Sequence, residues 1–283
     1  MNSNNISKTL YVSDLDGTLL DSDASISERS LNILNSLIDQ GILFTVATAR
    51  TITSTRIILK DLHLNLPIIL MNGVCIYDPV KEKYIHIETF SREELSLLIN
   101  LTEEYNLKGF MYALKNDNLT MYYEDLSHKA LKDFYDERAK SNKNRFVRVD
   151  KFSVLTDEPV IYFVLLDYKE NLEHIYQLTK NLPNINSAFY LDNYYKDTWY
   201  LEIFPGRASK FRAVQFLRKY LSVNYVIGFG DNQNDISLSE ACDEFYAVEN
   251  AVDELKLKSD RIIGKNTEDG VALWMQQNIC LSK

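Results

Sequence analysis

Cysteine is scarce in this chain: three residues in 283, Cys75, Cys242 and Cys280. An odd and widely spaced set makes no disulfide framework and reads as buried or idle thiols in a reducing compartment. Histidine is equally sparse. His63, His86, His128 and His174 form no ligand-like cluster with cysteine or with one another, so a structural zinc site is not expected. Basic charge is in deficit, with 31 Lys and Arg against 40 Asp and Glu and a net charge of -9. Such a chain gains nothing by releasing the counterions of a nucleic acid, which excludes that partner as an expectation. No run approaches the roughly 18 apolar residues needed to span a membrane. The opening MNSNNISK lacks the apolar stretch of a secretory leader. Repeats, low-complexity segments and long flexible linkers are missing too. The expectation is a cytoplasmic protein, a monomer or small homo-oligomer, with no membrane or nucleic-acid partner.

What is present is an ordinary globular composition, 46% hydrophobic and 25% charged, in a chain long enough for a substantial core. Thr9 to Ser13 reads as a short apolar strand. Ser27 to Gln40 carries Leu31, Leu34, Leu37 and Ile38 at helical spacing, with Ser27 as N-cap and Gly41 as C-cap. Ile42 to Ala47 is a near-continuous apolar run, as for a strand covered on both faces. A helix over Ile52 to Leu62 and a strand over Pro67 to Met71 follow. This strand–helix alternation predicts a doubly wound, mostly parallel α/β sheet.

The pattern then changes. Val74 to Glu88 reads as a hairpin turning at Asp78-Pro79, and Ser91 to Tyr105 as a helix with a Ser91/Glu94 capping box. From Gly109 to Phe204 strand-like and helical runs mix as in an α+β block. After Pro205-Gly206 the α/β pattern resumes, with a helix over Lys210 to Tyr220, a buried strand over Tyr225 to Phe229 and a helical tail from Thr267. The expected organisation is a discontinuous core, 1–83 with 199–283, carrying an inserted α+β domain at 84–198.

Four pieces of sequence carry chemistry, each at a strand end or helix start, where ligands bind in open α/β sheets. Asp14-Leu15-Asp16-Gly17-Thr18 leaves the first strand with two carboxylates that can converge if Gly17 lets the chain turn. Both ionised at ~4 Å, they would repel by about 4 kcal/mol at an effective dielectric near 20. A divalent cation resolves that conflict, and hard carboxylate oxygens favour Mg2+. Asp14 then suits a nucleophile, and Asp16 the acid that protonates a leaving alcohol. Thr48, after the second apolar run, offers a hydroxyl to a phosphoryl oxygen. Lys210 offers an ammonium to the phosphoryl group or to Asp14. Gly230-Asp231-Asn232-Gln233-Asn234-Asp235 supplies Asp231 as a metal ligand, with Asn234 and Asp235 in support or holding Lys210. Singly, these pieces also read as an Asp-Gly turn, a helix N-cap, a solvated lysine and a polar loop. Their conjunction in this order favours chemistry.

In DLDGTLLD, the Thr48 segment, LEIFPGRASK and GDNQNDISL, the chain resembles the haloacid dehalogenase-like hydrolases, and within them the Cof-type phosphatases with an α/β cap. The resemblance spans essentially the whole chain. It implies a Rossmann-like core, a Mg2+ cofactor, a small phosphorylated metabolite as substrate and phosphoryl transfer to Asp14. Carried over by position, it makes Asp14, Asp16 (through its backbone carbonyl) and Asp231 the metal ligands, with Asn234 and Asp235 behind them. Thr48, Lys210 and Leu15 would contact the phosphoryl group, and Arg50, Asn72, Gly73 and Asn250 the substrate. Ala49, Phe211 and the Ala247-Val248-Glu249 approach depart from the family pattern without removing a chemical group.

Two other functions fit parts of this set: a phosphotransferase or phosphomutase, and a receiver-like phospho-acceptor module. Asp16 argues against the last, because a general acid/base shortens the life of a phosphoaspartate. The aromatic stretch Tyr190, Tyr194, Tyr195, Trp199 and Tyr200 could stack on a substrate ring, but reads more simply as cross-strand packing.

Overall fold

A computed structural model describes residues 8–142, 145–191 and 197–279. Cys280, Tyr194 and Tyr195 lie outside the described residues. The chain divides into two compact units, Met1–His86 with Ser209–Lys283, and Ile87–Ala208. No helix among the described residues is long and apolar enough to cross a membrane.

The first unit begins with β1 (Thr9–Ser13), α1 (Glu28–Asp39), β2 (Leu43–Val46), α2 (Ile52–Ile58) and β3 (Ile68–Leu70), then β4 (Cys75–Asp78) and β5 (Lys83–Ile87). The second unit holds α3 (Arg92–Glu104), β6 (Gly109–Lys115), β7 (Asn118–Tyr123), α4 (Lys129–Asn142), β8 (Phe146–Arg148), β9 (Val160–Asp167), α5 (Lys169–Thr179), β10 (Ile185–Leu191) and β11 (Trp199–Pro205). The first unit resumes with α6 (Lys210–Leu221), β12 (Tyr225–Gly230), α7 (Ile236–Ser239), β13 (Glu244–Val248), α8 (Asp253–Lys258), β14 (Arg261–Ile263) and α9 (Gly270–Asn278).

The core sheet runs β14-β13-β12-β1-β2, and every pairing in it is parallel. A parallel bridge from Ala47 to Ile69 continues it towards β3. Leu10, Val12, Val46, Val226 and Phe229 have no exposed surface. That accounts for the near-continuous apolar runs of a strand covered on both faces. The chain winds outward from β1 to β2, then returns to lay β12 on the other side of β1. The direction reverses between β1 and β12, and the carboxyl ends of strands at such a reversal frame a crevice.

α1 shows how local sequence sets an element. Ser27 accepts from the Ser30 N–H at 2.9 Å, and Ile33, Leu34, Leu37 and Ile38 turn inward. Gly41, at φ +91°, ends the helix with its N–H on the Ile38 carbonyl at 2.9 Å. Asp269 Oδ1 accepts from the hydroxyls of both Ser27 and Ser30, tying the start of α1 to that of α9.

The second unit carries a six-stranded sheet, β10-β11-β9-β6-β7-β8, antiparallel except between β7 and β8. One face packs Met111, Phe163, Leu165, Leu201 and Ile203 into a core with Leu95, Leu98 and Ile99 of α3 and Leu172 and Ile175 of α5. Strand alternation divides the aromatic stretch between the two faces. Phe189 and Trp199 pack against this core, with ring centroids 4.6 Å apart, while Tyr190 and Tyr200 stack on each other at 5.5 Å.

Two expectations shift. The segment from 199, assigned to the core on sequence, forms β11, whose hydrogen bonds go to β9 and β10, so the units divide at 87 and 209. An apolar strand pattern does not name its partner strand, and Pro205-Gly206, where the α/β pattern resumes, lies nearer the observed boundary than 199. The helix expected over Ile52 to Leu62 stops at Ile58, while α8 and β14 are too short to show a period.

Replacing Ser27 with Ala removes both the cap of α1 and its bond to Asp269. We expect a loss of about 1–2 kcal/mol in urea unfolding at unchanged m-value. A midpoint equal to wild type would mean that the α1–α9 junction is carried by packing alone.

Candidate active site

Asp14 follows β1 directly, and its N–H still bonds the Phe229 carbonyl at 2.9 Å, so the end of the sheet holds it. Its side chain is almost wholly buried. Lys210, the first residue of α6, is 1% exposed and reaches Asp14 Oδ1 at 2.5 Å and Asp235 Oδ1 at 2.6 Å. The other oxygen of Asp235 accepts the backbone N–H groups of Asp231 and Asn232 at 3.0 and 3.1 Å. Asp231 follows β12, and its Oδ1 accepts from the Thr18 hydroxyl at 3.0 Å.

Gly17 makes this closeness possible. It sits at φ +79°, and a Cβ there would lie 2.3 Å from Asp231 Oδ2. Gly73 does the same at φ +92°, where a Cβ would lie 2.2 Å from the Ser209 carbonyl oxygen, against the N-terminus of α6. Its part is close backbone packing beside Lys210.

The remaining sequence candidates gather around this centre. Thr48 is fully buried one residue beyond Ala47, and its hydroxyl oxygen accepts from the Arg50 N–H at 3.1 Å. Its carbonyl accepts from the Asn72 N–H at 3.1 Å. Asn72 is left-handed at φ 56°, and its amide oxygen accepts from Asn234 Nδ2 at 3.3 Å. Asn250 donates to the Gly17 carbonyl at 2.7 Å, so it braces the turn after β1. The Leu15 side chain is buried in the core, and its carbonyl accepts from Thr18, Leu19 and Leu20, which leaves only its N–H for a ligand. Asp16 points elsewhere than Asp14. It is half exposed and forms a two-pronged ion pair with Arg50, at 2.7 Å from Nε and 2.5 Å from Nη2.

Sequence reasoning gave Thr18 no role, yet its hydroxyl orients Asp231. A hydroxyl two residues after Asp16 was the available signal. The tie from Asp235 to two backbone N–H groups had none beyond an Asn-Asp loop.

The electrostatics are those of a site short of positive charge. Burial, together with the charge of Asp235, raises the Asp14 carboxyl well above its ordinary range, and Lys210 only partly opposes this. Burial, then Asp235, pushes Asp231 up to about 7. Burial works to lower the Lys210 ammonium, but the paired carboxylates of Asp14 and Asp235 outweigh it and the net shift is upward. Carboxylate oxygens of Asp14, Asp231 and Asp235 lie within 4.8 Å of one another. Both Asp235 oxygens are engaged, whereas among the described residues one oxygen each of Asp14 and Asp231 is left over. Two spare hard oxygens in a buried, over-negative site fit a small divalent cation such as Mg2+. Among the described residues no histidine or cysteine joins this cluster, which disfavours zinc.

Comparison with known proteins settles the lineage. The family profile described as haloacid dehalogenase-like hydrolase matches residues 11–275. The chain belongs to this family. It is therefore an enzyme of the hydrolase class. It is 25% identical to the 5-amino-6-(5-phospho-D-ribitylamino)uracil phosphatase YitU of Bacillus subtilis, over 96% of this chain and 98% of YitU. It is 27% identical to YwtE, a phosphatase of the same printed name and organism, over 93% and 96% of the two chains. The crystal structure of TM0651 from Thermotoga maritima superposes with a TM-score of 0.76 at 25% identity, covering 97% of this chain and 98% of that one. This hydrolase fold, a parallel α/β core with an inserted cap domain, is the one described above.

Asp231 binds its proton more tightly folded than unfolded. In the metal-free protein its contribution to stability is full below about pH 4 and is lost as the pH rises through about 7. We expect Asp231→Asn in EDTA to gain stability over wild type, by about 1–3 kcal/mol, as the pH is raised across that window. Chemical denaturation of both proteins at pH 4 and pH 8 measures it, and a difference independent of pH contradicts it. Replacing Lys210 with Met strands two buried carboxylates and should cost about 3–5 kcal/mol at neutral pH.

Proposed function

We propose that this hydrolase is a Mg2+-dependent phosphatase that cleaves a small phosphorylated metabolite through an aspartyl phosphate on Asp14. The Lys210 bridge between Asp14 and Asp235, beside the free oxygen of Asp231, carries this reading. It presents a buried carboxylate nucleophile to a position that only a cation-bearing site can make hospitable to a phosphate. Asp14, Asp231 and the Asp16 backbone carbonyl would hold the ion, which when bound would neutralise charge on the phosphoryl oxygens.

In this reading an Asp14 oxygen attacks phosphorus as the bond from phosphorus to the ester oxygen breaks. The departing alcohol oxygen takes a proton from Asp16. Water then gives a proton to Asp16 and its oxygen attacks phosphorus, breaking the bond to Asp14 and releasing inorganic phosphate. Lys210 keeps Asp14 oriented and offsets charge on the phosphoryl group. The Thr48 hydroxyl and the Leu15 N–H would donate to it. Asn234 and Asp235 support the metal side of the site. In the free protein Arg50 grips the Asp16 carboxylate with two bonds, so Asp16 would leave Arg50 and take up a proton before serving as the acid. From the names of the Bacillus relatives, a phosphate ester carrying a nitrogen ring is the substrate class to test first.

The test is phosphate release from an aryl phosphate with Mg2+ and with EDTA. Asp14→Asn should lose more than about 1000-fold in kcat, and EDTA should silence the wild type. Full turnover in either condition would overturn the reading. Asp16→Asn should still be phosphorylated by an aryl ester, whose leaving group needs no acid, and should accumulate acid-trappable phosphoenzyme.

A further inference from the structure

Asn266 carries none of the chemistry above, yet it reaches the turn on which that chemistry depends. Its Nδ2 donates to the Leu20 carbonyl at 2.8 Å, and its backbone N–H donates to Asn250 Oδ1 at 3.1 Å. Asn250 in turn donates from Nδ2 to the Gly17 carbonyl at 2.7 Å. The two asparagines therefore grip the turn from Gly17 to Leu20 at both ends. Two residues beyond Asn250, the Val252 N–H donates to the Asp231 carbonyl at 2.8 Å. One short segment after β13 thus touches both strand-end loops that bear the acids, the one after β1 and the one after β12.

The anchor behind this grip is closely packed. Asn266 opens a short 3₁₀ turn between β14 and α9, and the N–H groups of Glu268 and Gly270 both donate to the Lys265 carbonyl at 3.0 Å. A Cβ at Gly270 would lie 2.0 Å from the Gly264 carbonyl oxygen, so the loop closes on itself. Asp269 fastens it to the start of α1 through Ser27 and Ser30. Within the gripped turn, the Leu15 carbonyl takes the N–H groups of Thr18, Leu19 and Leu20 at 3.2, 3.0 and 2.9 Å. The Gly17 and Leu20 carbonyls are held from outside, by the asparagines.

We propose that Asn266 and Asn250 are positioning residues that set the Asp16–Gly17 peptide against Asp231. The Asp16 carbonyl and the Asp231 carboxylate would hold Mg2+, and the same peptide directs the Asp16 side chain. A displacement of about 1 Å at either group costs ion binding or rate without removing a chemical group. The effect on turnover rests on the phosphatase reading; the effect on ion binding does not.

Mg2+ alone is the first probe. Calorimetric titration of the metal-free protein should show affinity weakened about 10-fold in Asn266→Ala and in Asn250→Ala. Asn266→Ala keeps its backbone N–H on Asn250 and is the milder change, and urea unfolding checks that each variant is folded. The second probe is the leaving group. Benzyl phosphate and 4-nitrophenyl phosphate both carry a single ring, but only the benzyl alkoxide needs a proton as it departs. The ratio of their kcat/KM values should fall about 10-fold in both variants, because a misplaced Asp16 slows the benzyl ester alone. Loss of folded enzyme would lower both rates together. Asn35→Ala is the control. It breaks a comparable pair of bonds in the same unit, to the Asp61 carbonyl and from the His63 N–H, and should change neither affinity nor ratio. Unchanged Mg2+ affinity in both Asn266→Ala and Asn250→Ala, or an equal loss in Asn35→Ala, overturns the inference. Wild type that hydrolysed neither ester would remove the phosphatase reading and leave the titration to decide on the positioning role.

Discussion

The position of one buried ammonium organises the carboxyl end of the core sheet. Lys210 has almost no exposed surface and lies between two carboxylates, Asp14 after β1 and Asp235 beyond β12. One positive charge faces Asp14, Asp235 and the nearby Asp231, so the cluster keeps an excess of negative charge even with the lysine ionised. That imbalance explains both the raised carboxyl groups and the suitability of the place for a divalent cation. Removing either kind of charge leaves the other stranded away from water.

The backbone is shaped to allow it. Parallel pairing of β1 with β12 sets the loops bearing Asp14 and Asp231 side by side. Gly17 then lets the Asp231 carboxylate close on the turn, where any side chain would collide with it. Gly73 lets the strand-end loop after β3 touch the start of α6, which holds the Lys210 backbone in place. Asp235 binds the ammonium with one oxygen and its own loop with the other, so charge pairing and loop conformation are set by one residue.

The second unit is built differently. Its antiparallel strands send alternate residues to an aliphatic core and to an aromatic face, and Glu202 stands on the latter. A carboxylate there is held by phenols rather than by a cation, the reverse of the arrangement around Lys210.

Much of this was legible in the sequence, because the relevant signals are local. Apolar runs, the Ser27 cap and the Asp-x-Asp-Gly-Thr turn each depend on a few neighbouring residues, so the parallel core could be read and candidate site residues named in order. Partner choice is not local. Tertiary structure alone decided which strands flank Trp199–Pro205, that Asp16 pairs with Arg50, and that Thr18 orients Asp231. It also decided that Asn250 braces the Gly17 turn from far along the chain. Strand periodicity shows which face a side chain takes but not which strand lies beside it. Which of several nearby carboxylates meets a given cation is set by backbone approach distances that no short stretch of sequence contains.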